Sequence, residues 1–435
     1  MPGQGTGVLR VCPENPRYFT DDGGRAIYLA GAQTWNNLVD MGASYPPHVF
    51  NFTAYLDFLQ EHNHNFFRLW AWELPKFDCP RYPFRKHMSP FPWERTGPGQ
   101  DVLGMLKFDL TRFHQPYFDR MRERIVASAR RGIFVNVMLF EGWALQFTKD
   151  PTPHPFFERN NVNGASFGQD GKTVHSLAHP RITAVQEAYV RKVLDTVNDL
   201  DNVLYEIINE AGPYSLDWQY HMIRFVKESE AALPKRHLVG MTYQYEGGTH
   251  DALLKSDADW IAPGADVSKT YWTDPPPADG RKIVVADTDH LGGSGTGDRV
   301  WVWKSFARGL HTLFMDRYEL PDSVTDKLYD KAEEIRRAMG HTVSFSRRMD
   351  LRKATPRPDL ASTGFCLAQP GREYLVYLPE GKSVKVDLSG AAGALKAEWF
   401  DPSTGESLPS GQVQGGRAQV LNSPFPQDAV LYLVK

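Results

Sequence analysis

Two short runs carry acidic residues directly behind apolar, strand-like segments. Leu204-Tyr205-Glu206-Ile207-Ile208 leads into Asn209-Glu210 and then Ala211-Gly212-Pro213. Lys282-Ile283-Val284-Val285-Ala286 leads into Asp287-Thr288-Asp289-His290. A strand that breaks into a turn delivers its last side chains to one end of a sheet, and in parallel barrels that end carries the chemistry. Carboxyl groups brought there from two strands can divide the work, one holding a proton to donate and the other staying ionised. Arg68, within Phe66-Phe67-Arg68-Leu69-Trp70, is the best cation to serve them, because a charge inside an apolar strand needs a partner. Glu206 shares a strand face with Glu210 and lies deeper, so it reads as a buried partner for Arg68.

The elements that must position these residues recur along the chain. Nearly continuous apolar runs fall at Ala26–Ala32, Phe66–Trp72, Ile133–Phe140, Val203–Ile208, Leu238–Tyr243, Trp260–Ala262, Ile283–Asp287 and Leu310–Phe314. Such runs suit strands covered on both faces. Helix-like segments separate most of them: Phe50–His62, Thr111–Arg131, Pro180–Asp199 and Ser215–Leu233. Asn63, Gly132 and Leu200-Asp201 stand where three of these should stop. Eight alternating units predict a (β/α)8 barrel over residues 1–345, with its site at the C-terminal ends of the strands.

At 435 residues the chain is long for one core. A helical stretch, Val324–Met339, is followed beyond Arg357-Pro358-Asp359 by short strands at Gly364–Ala368, Tyr374–Leu378, Val384–Leu388, Leu395–Phe400 and Val430–Val434. Turn signals such as Pro379-Glu380-Gly381 and Pro402-Ser403-Thr404-Gly405 separate them. Residues 350–435 therefore predict a small all-β sandwich.

Other properties exclude whole classes. A formal net charge of −3 argues against nucleic-acid binding. No 18-residue apolar span predicts a transmembrane helix. Cys12, Cys79 and Cys366 are widely separated and read as ordinary thiols. Met1-Pro2-Gly3-Gln4-Gly5 has neither a basic n-region nor an apolar h-region, which fits an intracellular protein or one whose leader has been removed. No GxGxxG follows a strand, and Gly292-Gly293-Ser294-Gly295-Thr296-Gly297 lacks the Lys-Ser/Thr of a P-loop, so no cofactor is expected and this run reads as a flexible loop beside the site.

Asn209-Glu210 at the end of an apolar fourth strand resembles the clan A glycoside hydrolases, near their cellulase-like members. Asn15-Pro16-Arg17-Tyr18-Phe19-Thr20-Asp21-Asp22-Gly23-Gly24, ahead of strand one, is similar to the hairpin that opens many of these barrels. The resemblance covers most of residues 14–320. It implies a carbohydrate substrate, Glu210 as general acid/base, and Asn209 as a contact to the sugar 2-hydroxyl. It places the nucleophile at the end of strand seven, at Asp287, where the clan usually has Glu. Strand periodicity leaves Asp289 open, because residues two apart share a face. The resemblance also puts Arg68 near the nucleophile. Glu398-Trp399-Phe400-Asp401-Pro402-Ser403-Thr404-Gly405 and the ending Asp428-Ala429-Val430-Leu431-Tyr432-Leu433 resemble the small domain, labelled collagen-binding, that often follows such barrels. A packing role against the barrel is the expectation for it, and collagen binding is not.

With that resemblance in view, the strand ends supply sugar contacts. Gln33, Trp35, Asn36 and Asn37 close strand one; Trp70, Trp72 and Glu73 close strand two; Glu141 and Trp143 close strand three; Tyr243 closes strand five. Tyr271 and Trp272 precede strand seven, and Asp289 and His290 follow it. Aromatic residues make up 12% of the chain, and indole and phenol faces stack on sugar rings. The long segment Thr148–His179, with His175, should shape subsites. Two competing readings follow from the same residues. Asp287, Asp289 and His290 could hold a divalent ion for a metal-dependent hydrolase, with His62 or His64 nearby, although those two fall at the wrong end of a barrel. Asp in place of Glu on strand seven also suits a barrel that binds carbohydrate without cleaving it.

Overall fold

The computed structural model describes residues 6–78, 85–264, 271–290, 297–316, 318 and 331–435. Eight parallel strands form one sheet: β1 (Ala30–Gln33), β2 (Phe66–Leu69), β3 (Phe134–Glu141), β4 (Val203–Asn209), β5 (Val239–Thr242), β6 (Trp260–Ala262), β7 (Ile283–Asp287) and β8 (His311–Met315). Each pairs in parallel with the next from β2 to β8, and β8 pairs with β1. Asn65 closes the ring, its backbone N–H donating to Ala30 O at 3.2 Å and its Oδ1 accepting from Ala30 N at 3.0 Å. The approach is close enough to demand glycine: a Cβ on Gly31 would lie 1.7 Å from the Phe66 carbonyl oxygen. This is a TIM barrel, as the eight apolar runs predict.

Between the strands lie α1 (Phe52–Glu61), α2 (Gln115–Ala129), α3 (Pro180–Val197), α4 (Leu216–Glu230), α5 (His250–Lys255) and α6 (Arg299–Ala307), and α7 (Ala332–Arg348) follows β8. Asn51, Thr249 and Asp298 cap α1, α5 and α6 through their side-chain oxygens. The expected first strand divides: Ala26–Ile27 joins a small antiparallel sheet with Arg10–Val11 and Phe19–Thr20, and only Ala30–Gln33 enters the barrel. The segment expected as helix from Thr111 begins as strand, because Leu106–Phe113 pairs with Trp93–Gln100. With Lys76–Asp78 and Arg85–Ser89, these strands form an insertion after β2 that the apolar pattern did not announce. Of the expected helix Val324–Met339, residues 324–330 lie outside the described residues, as do Cys79 and residues 292–296. Cys12 and Cys366 are buried free thiols. No helix among the described residues is long and apolar enough to cross a membrane.

The barrel interior is layered. Leu29, Phe66, Phe134, Leu204, Ile283, Val285 and Leu313 fill its floor together with Leu9 and Phe19. A charged layer then sits above them, and the acidic mouth above that.

The C-terminal domain is a β-sandwich. One sheet has six strands, in the order Thr355–Pro356, Cys366–Gln369, Glu373–Leu378, Ala429–Val434, Ala394–Phe400, Ser407–Gln414. The second pairs Ser383–Asp387 with Ala418–Asn422. The domain packs on α6 and α7. The indole of Trp303, fully buried, stacks on Tyr377 at 6.1 Å and meets Phe400 at 5.7 Å and Phe345 at 5.5 Å. Arg299 adds an ion pair to Asp428 at 2.8 Å, and Arg348 one to Glu398 at 2.8 Å. We expect Trp303→Ala to lower the unfolding free energy by about 3–5 kcal/mol, the usual cost of emptying a large aromatic site; urea denaturation followed by tryptophan fluorescence measures it.

Candidate active site

Arg68 is wholly buried inside the barrel. Its Nε donates to Glu206 at 2.7 Å, and its Nη1 reaches Asp287 Oδ2 at 2.7 Å and Gln33 Oε1 at 2.6 Å. Three neutral groups complete the layer. Asn136 and Thr242 donate to Glu206, the hydroxyl at 2.6 Å, and Gln33 Nε2 donates to Asp287 at 3.3 Å. Burial weakens the guanidinium's hold on its proton, but Glu206 and Asp287 more than offset that and raise its affinity for the proton.

Above this layer stand Glu210, Asp289, His290 and Asn209. One polar atom from each of Glu210, Asp289 and His290 falls within 4.8 Å of the other two. Asn209 Nδ2 donates to Asp289 at 3.4 Å, while its Oδ1 lies 2.8 Å from His290 Nε2. The side chain of Asp287 is fully shielded, and that of Asp289 is 12% exposed. The backbone N–H of Asp289 donates to Asp287 Oδ1 at 3.0 Å, so the inner carboxylate fixes the turn that presents the outer one.

The local backbone is specialised. Glu210 takes a left-handed φ of 44°, uncommon for a residue with a side chain and costly enough to mark a site. Its carbonyl accepts from Gln146 Nε2. It also packs against Gly142, where a Cβ would come within 2.5 Å of that oxygen.

Burial holds a proton on Glu210 well above the usual carboxyl range, and the charges of Asp289, Glu141 and Asp287 push the same way. Burial, then Asp287, pushes Asp289 up to about 7, against the pull of Arg68 and Asn209. Glu141 is also buried and raised, chiefly by desolvation; its carboxylate accepts from Ala144 N in the short helix Trp143–Phe147. Glu73 goes the other way. Burial opposes its ionisation, but His175 and His154, whose Nε2 atoms lie 2.9 and 3.0 Å away, hold it at about 2. Glu73 thereby ties the loop carrying both histidines to the end of β2, and it accepts from Glu141 N at 3.1 Å.

The aromatic expectations need correction. Trp35, Trp70 and Trp72 are 6%, 1% and 2% exposed and pack together, with ring centroids 6.0–6.3 Å apart. Trp72 Nε1 donates to Trp35 O at 2.6 Å. They form a wall behind the mouth, in which Trp143 is half-buried, 5.4 Å from Trp35. Asn36 is buried, its Oδ1 accepting from Thr34 at 3.1 Å, and Tyr243 is 7% exposed at the end of β5. Tyr271 does not join the mouth: it is buried beside α5 and the flank of β7, near His250, Leu254 and Val284. Trp272 packs toward α6, 6.3 Å from Trp301. His62 and His64 contact α7, at Glu333 and the Arg336 carbonyl, away from the acidic mouth. The metal grouping Asp287–Asp289–His290 is likewise revised, because Asp287 is bound to Arg68 and Glu210 takes its place beside the other two. Asn136, Thr242 and His154 were missed; a polar residue inside each apolar strand run was the available signal for the first two.

Comparison with known proteins agrees with this architecture. Residues 362–433 match the family described as "Putative collagen-binding domain of a collagenase". None of the curated protein sequences compared matches the chain. Among solved structures, the chain is similar to a family 5 glycoside hydrolase from Bacteroides vulgatus, at 14% identity and a TM-score of 0.63, over 99% of this chain and 94% of that one. It is similar also to a second structure described as a glycoside hydrolase, at 13% identity and a TM-score of 0.61, over 99% and 97%. At such identities the likeness concerns the fold alone: a (β/α)8 barrel followed by a β-sandwich.

Two outcomes follow from the buried charges. Arg68→Met leaves Glu206 and Asp287 uncompensated and should destabilise the protein by about 3–5 kcal/mol, read by urea denaturation at neutral pH. Glu73, held below its ordinary value of 4.5, contributes stability that is full above that value and is lost as pH falls toward about 2. The stability difference between wild type and Glu73→Gln should therefore shrink over that window in thermal melts, and a constant difference would contradict it.

Proposed function

We propose that this protein is a glycoside hydrolase in which Glu210 is the general acid/base and Asp289 the nucleophile. The observation that carries this reading is the pair of carboxyl groups at the ends of β4 and β7, with an oxygen of each inside 4.8 Å. Retaining enzymes hold their carboxyl groups about 5–5.5 Å apart, whereas inverting ones leave about 6.5–9.5 Å for a water. The spacing here supports retention. The two environments support the roles: Asp289 gives up its proton near pH 7, while Glu210, desolvated and facing three carboxyl groups, keeps its own. Asp289 then attacks the anomeric carbon as Glu210 protonates the departing oxygen. In the second step Glu210 takes a proton from water, which cleaves the glycosyl ester.

Asp287, the position matched to the clan nucleophile, has the part of an inner support in this reading. Its oxygens are committed to Arg68, Gln33 and the Asp289 N–H, and it is shielded from solvent. Asn209, fixed by His290 on one side and Asp289 on the other, suits a sugar hydroxyl next to the scissile bond. The substrate is a poly- or oligosaccharide. The fold similarity to glycoside hydrolases adds to this reading.

The test is hydrolysis of a panel of plant and microbial polysaccharides and aryl glycosides. Glu210→Gln and Asp289→Asn should each lower kcat by several orders of magnitude on natural substrates. Glu210→Gln should lose far less on dinitrophenyl glycosides, whose leaving group needs no proton. The rate should climb with pH through about 7 as Asp289 ionises, and decline at higher pH as Glu210 loses its proton. An active Asp289→Asn beside a dead, folded Asp287→Asn returns the nucleophile to Asp287. Activity abolished by a chelator and restored by a divalent ion favours a metal hydrolase on Glu210, Asp289 and His290. Sugar binding with no turnover favours a binding-only barrel.

A further inference from the structure

The insertion after β2 forms a half-open cavity of about 740 Å³ that the acid pair does not use. It is built from both hairpins of the insertion and from Tyr45. The strand Lys76–Asp78 divides it from the indole wall. Phe77 points to that wall, 4.9 Å from Trp143, and by strand alternation Lys76 points the other way, where it lines the cavity. A volume of this size is in the range of ligand sites.

Its lining has the two components that acidic sugars need. Phe91, Trp93 and Phe108 supply apolar faces, and Tyr45 stands at the rim with 53% of its surface exposed. The charges do not cancel. Arg95, stacked 3.8 Å over Phe108, is paired with Asp101 at 2.5 Å, and Glu94 is paired with Arg112 at 2.8 Å. Lys76, half-buried, has no carboxylate partner among the described residues. Among the described residues, one ammonium without a carboxylate partner stands beside aromatic faces, which fits a glycan segment with an anionic substituent.

We propose that this cavity is a second, non-catalytic saccharide site for an acidic oligosaccharide, with Lys76 pairing the carboxylate of a uronic acid or a sulfate ester and Tyr45 stacking on a ring. The inference rests on the glycosidase reading. It deepens that reading by assigning the substrate's charge and by giving a bound chain a second hold outside the mouth.

The experiment uses the full chain carrying Glu210→Gln, so that binding is read without turnover. Calorimetric titration compares tetragalacturonate, a sulfated carrageenan tetrasaccharide and neutral cellotetraose. The expected result is that one acidic tetramer binds at least about tenfold more tightly than the neutral one, and that Lys76→Ala weakens it about tenfold. Tyr45→Ala should weaken it too, and added salt should do the same. Which acidic tetramer binds identifies carboxylate or sulfate. Equal binding of acidic and neutral tetramers overturns the proposal, as does acidic binding that survives both Lys76→Ala and Tyr45→Ala. In the otherwise wild-type chain those two variants should leave turnover of small aryl glycosides unchanged. Turnover without acidic binding sinks this inference alone, and acidic binding without any turnover sinks the hydrolase reading alone.

Discussion

One buried guanidinium sets the terms for the rest of this barrel. Arg68 projects from a strand whose neighbours are apolar, into an interior closed below by Phe66, Leu204 and Ile283. A charge there is tolerable only with close partners, and the fold supplies two carboxylates, Glu206 and Asp287. Two negative charges against one positive leave the layer with an excess of one. The next carboxyl groups upward, Asp289 and Glu210, therefore meet a site already desolvated and already negative. That is the physical origin of their reluctance to ionise. The ion-paired layer and the acid mouth are a single electrostatic system.

The periphery serves the same arrangement. Asn37 ties β1 to β2 by accepting from Trp70 N and donating to the Arg68 carbonyl, both at 2.7 Å, which fixes the register of the strand that carries the guanidinium. Glu73 fastens the His154–His175 loop at the rim. On the far side the sandwich domain covers Trp303 and Phe345, which would otherwise leave apolar faces of α6 and α7 in water. This agrees with a packing role for that domain.

How much was legible in the sequence depended on how directly local pattern encodes depth. All eight barrel strands could be read, because a strand covered on both faces must be apolar throughout. Arg68 could be read as a buried charge for the same reason, and Glu206 as its partner. Asp287 and Asp289 could not be ranked. They share a face, and which one reaches the mouth depends on how β7 is staggered against β4, a property of the closed barrel rather than of either segment. The tryptophans at strand ends misled because an indole at a rim can face the ligand or its neighbours, and composition does not distinguish the two. The strands Ser407–Gln414 and Ala418–Asn422 went unseen because they are largely exposed and carry little apolar signal. The insertion strand Trp93–Gln100 was hidden by Gly97-Pro98-Gly99, which reads as loop.

The site also carries carboxyl groups of opposite thermodynamic sign, a short distance apart. Glu73 binds its proton more weakly in the fold than in the unfolded chain, so folding gains from its ionisation as pH rises. Glu210 and Asp289 bind theirs more strongly in the fold. Above their ordinary range near pH 4, the unfolded chain releases protons that the folded chain keeps, and stability falls with pH until the folded groups ionise as well. A left-handed backbone at Glu210 adds to that cost. Such a cost persists where the strained, desolvated arrangement has a use, and a proton held ready beside an ionisable carboxylate is the arrangement that the proposed cleavage of a glycosidic bond would use. The stability given up at the mouth is offset by the apolar floor, the Arg68 layer and the covered helices around it.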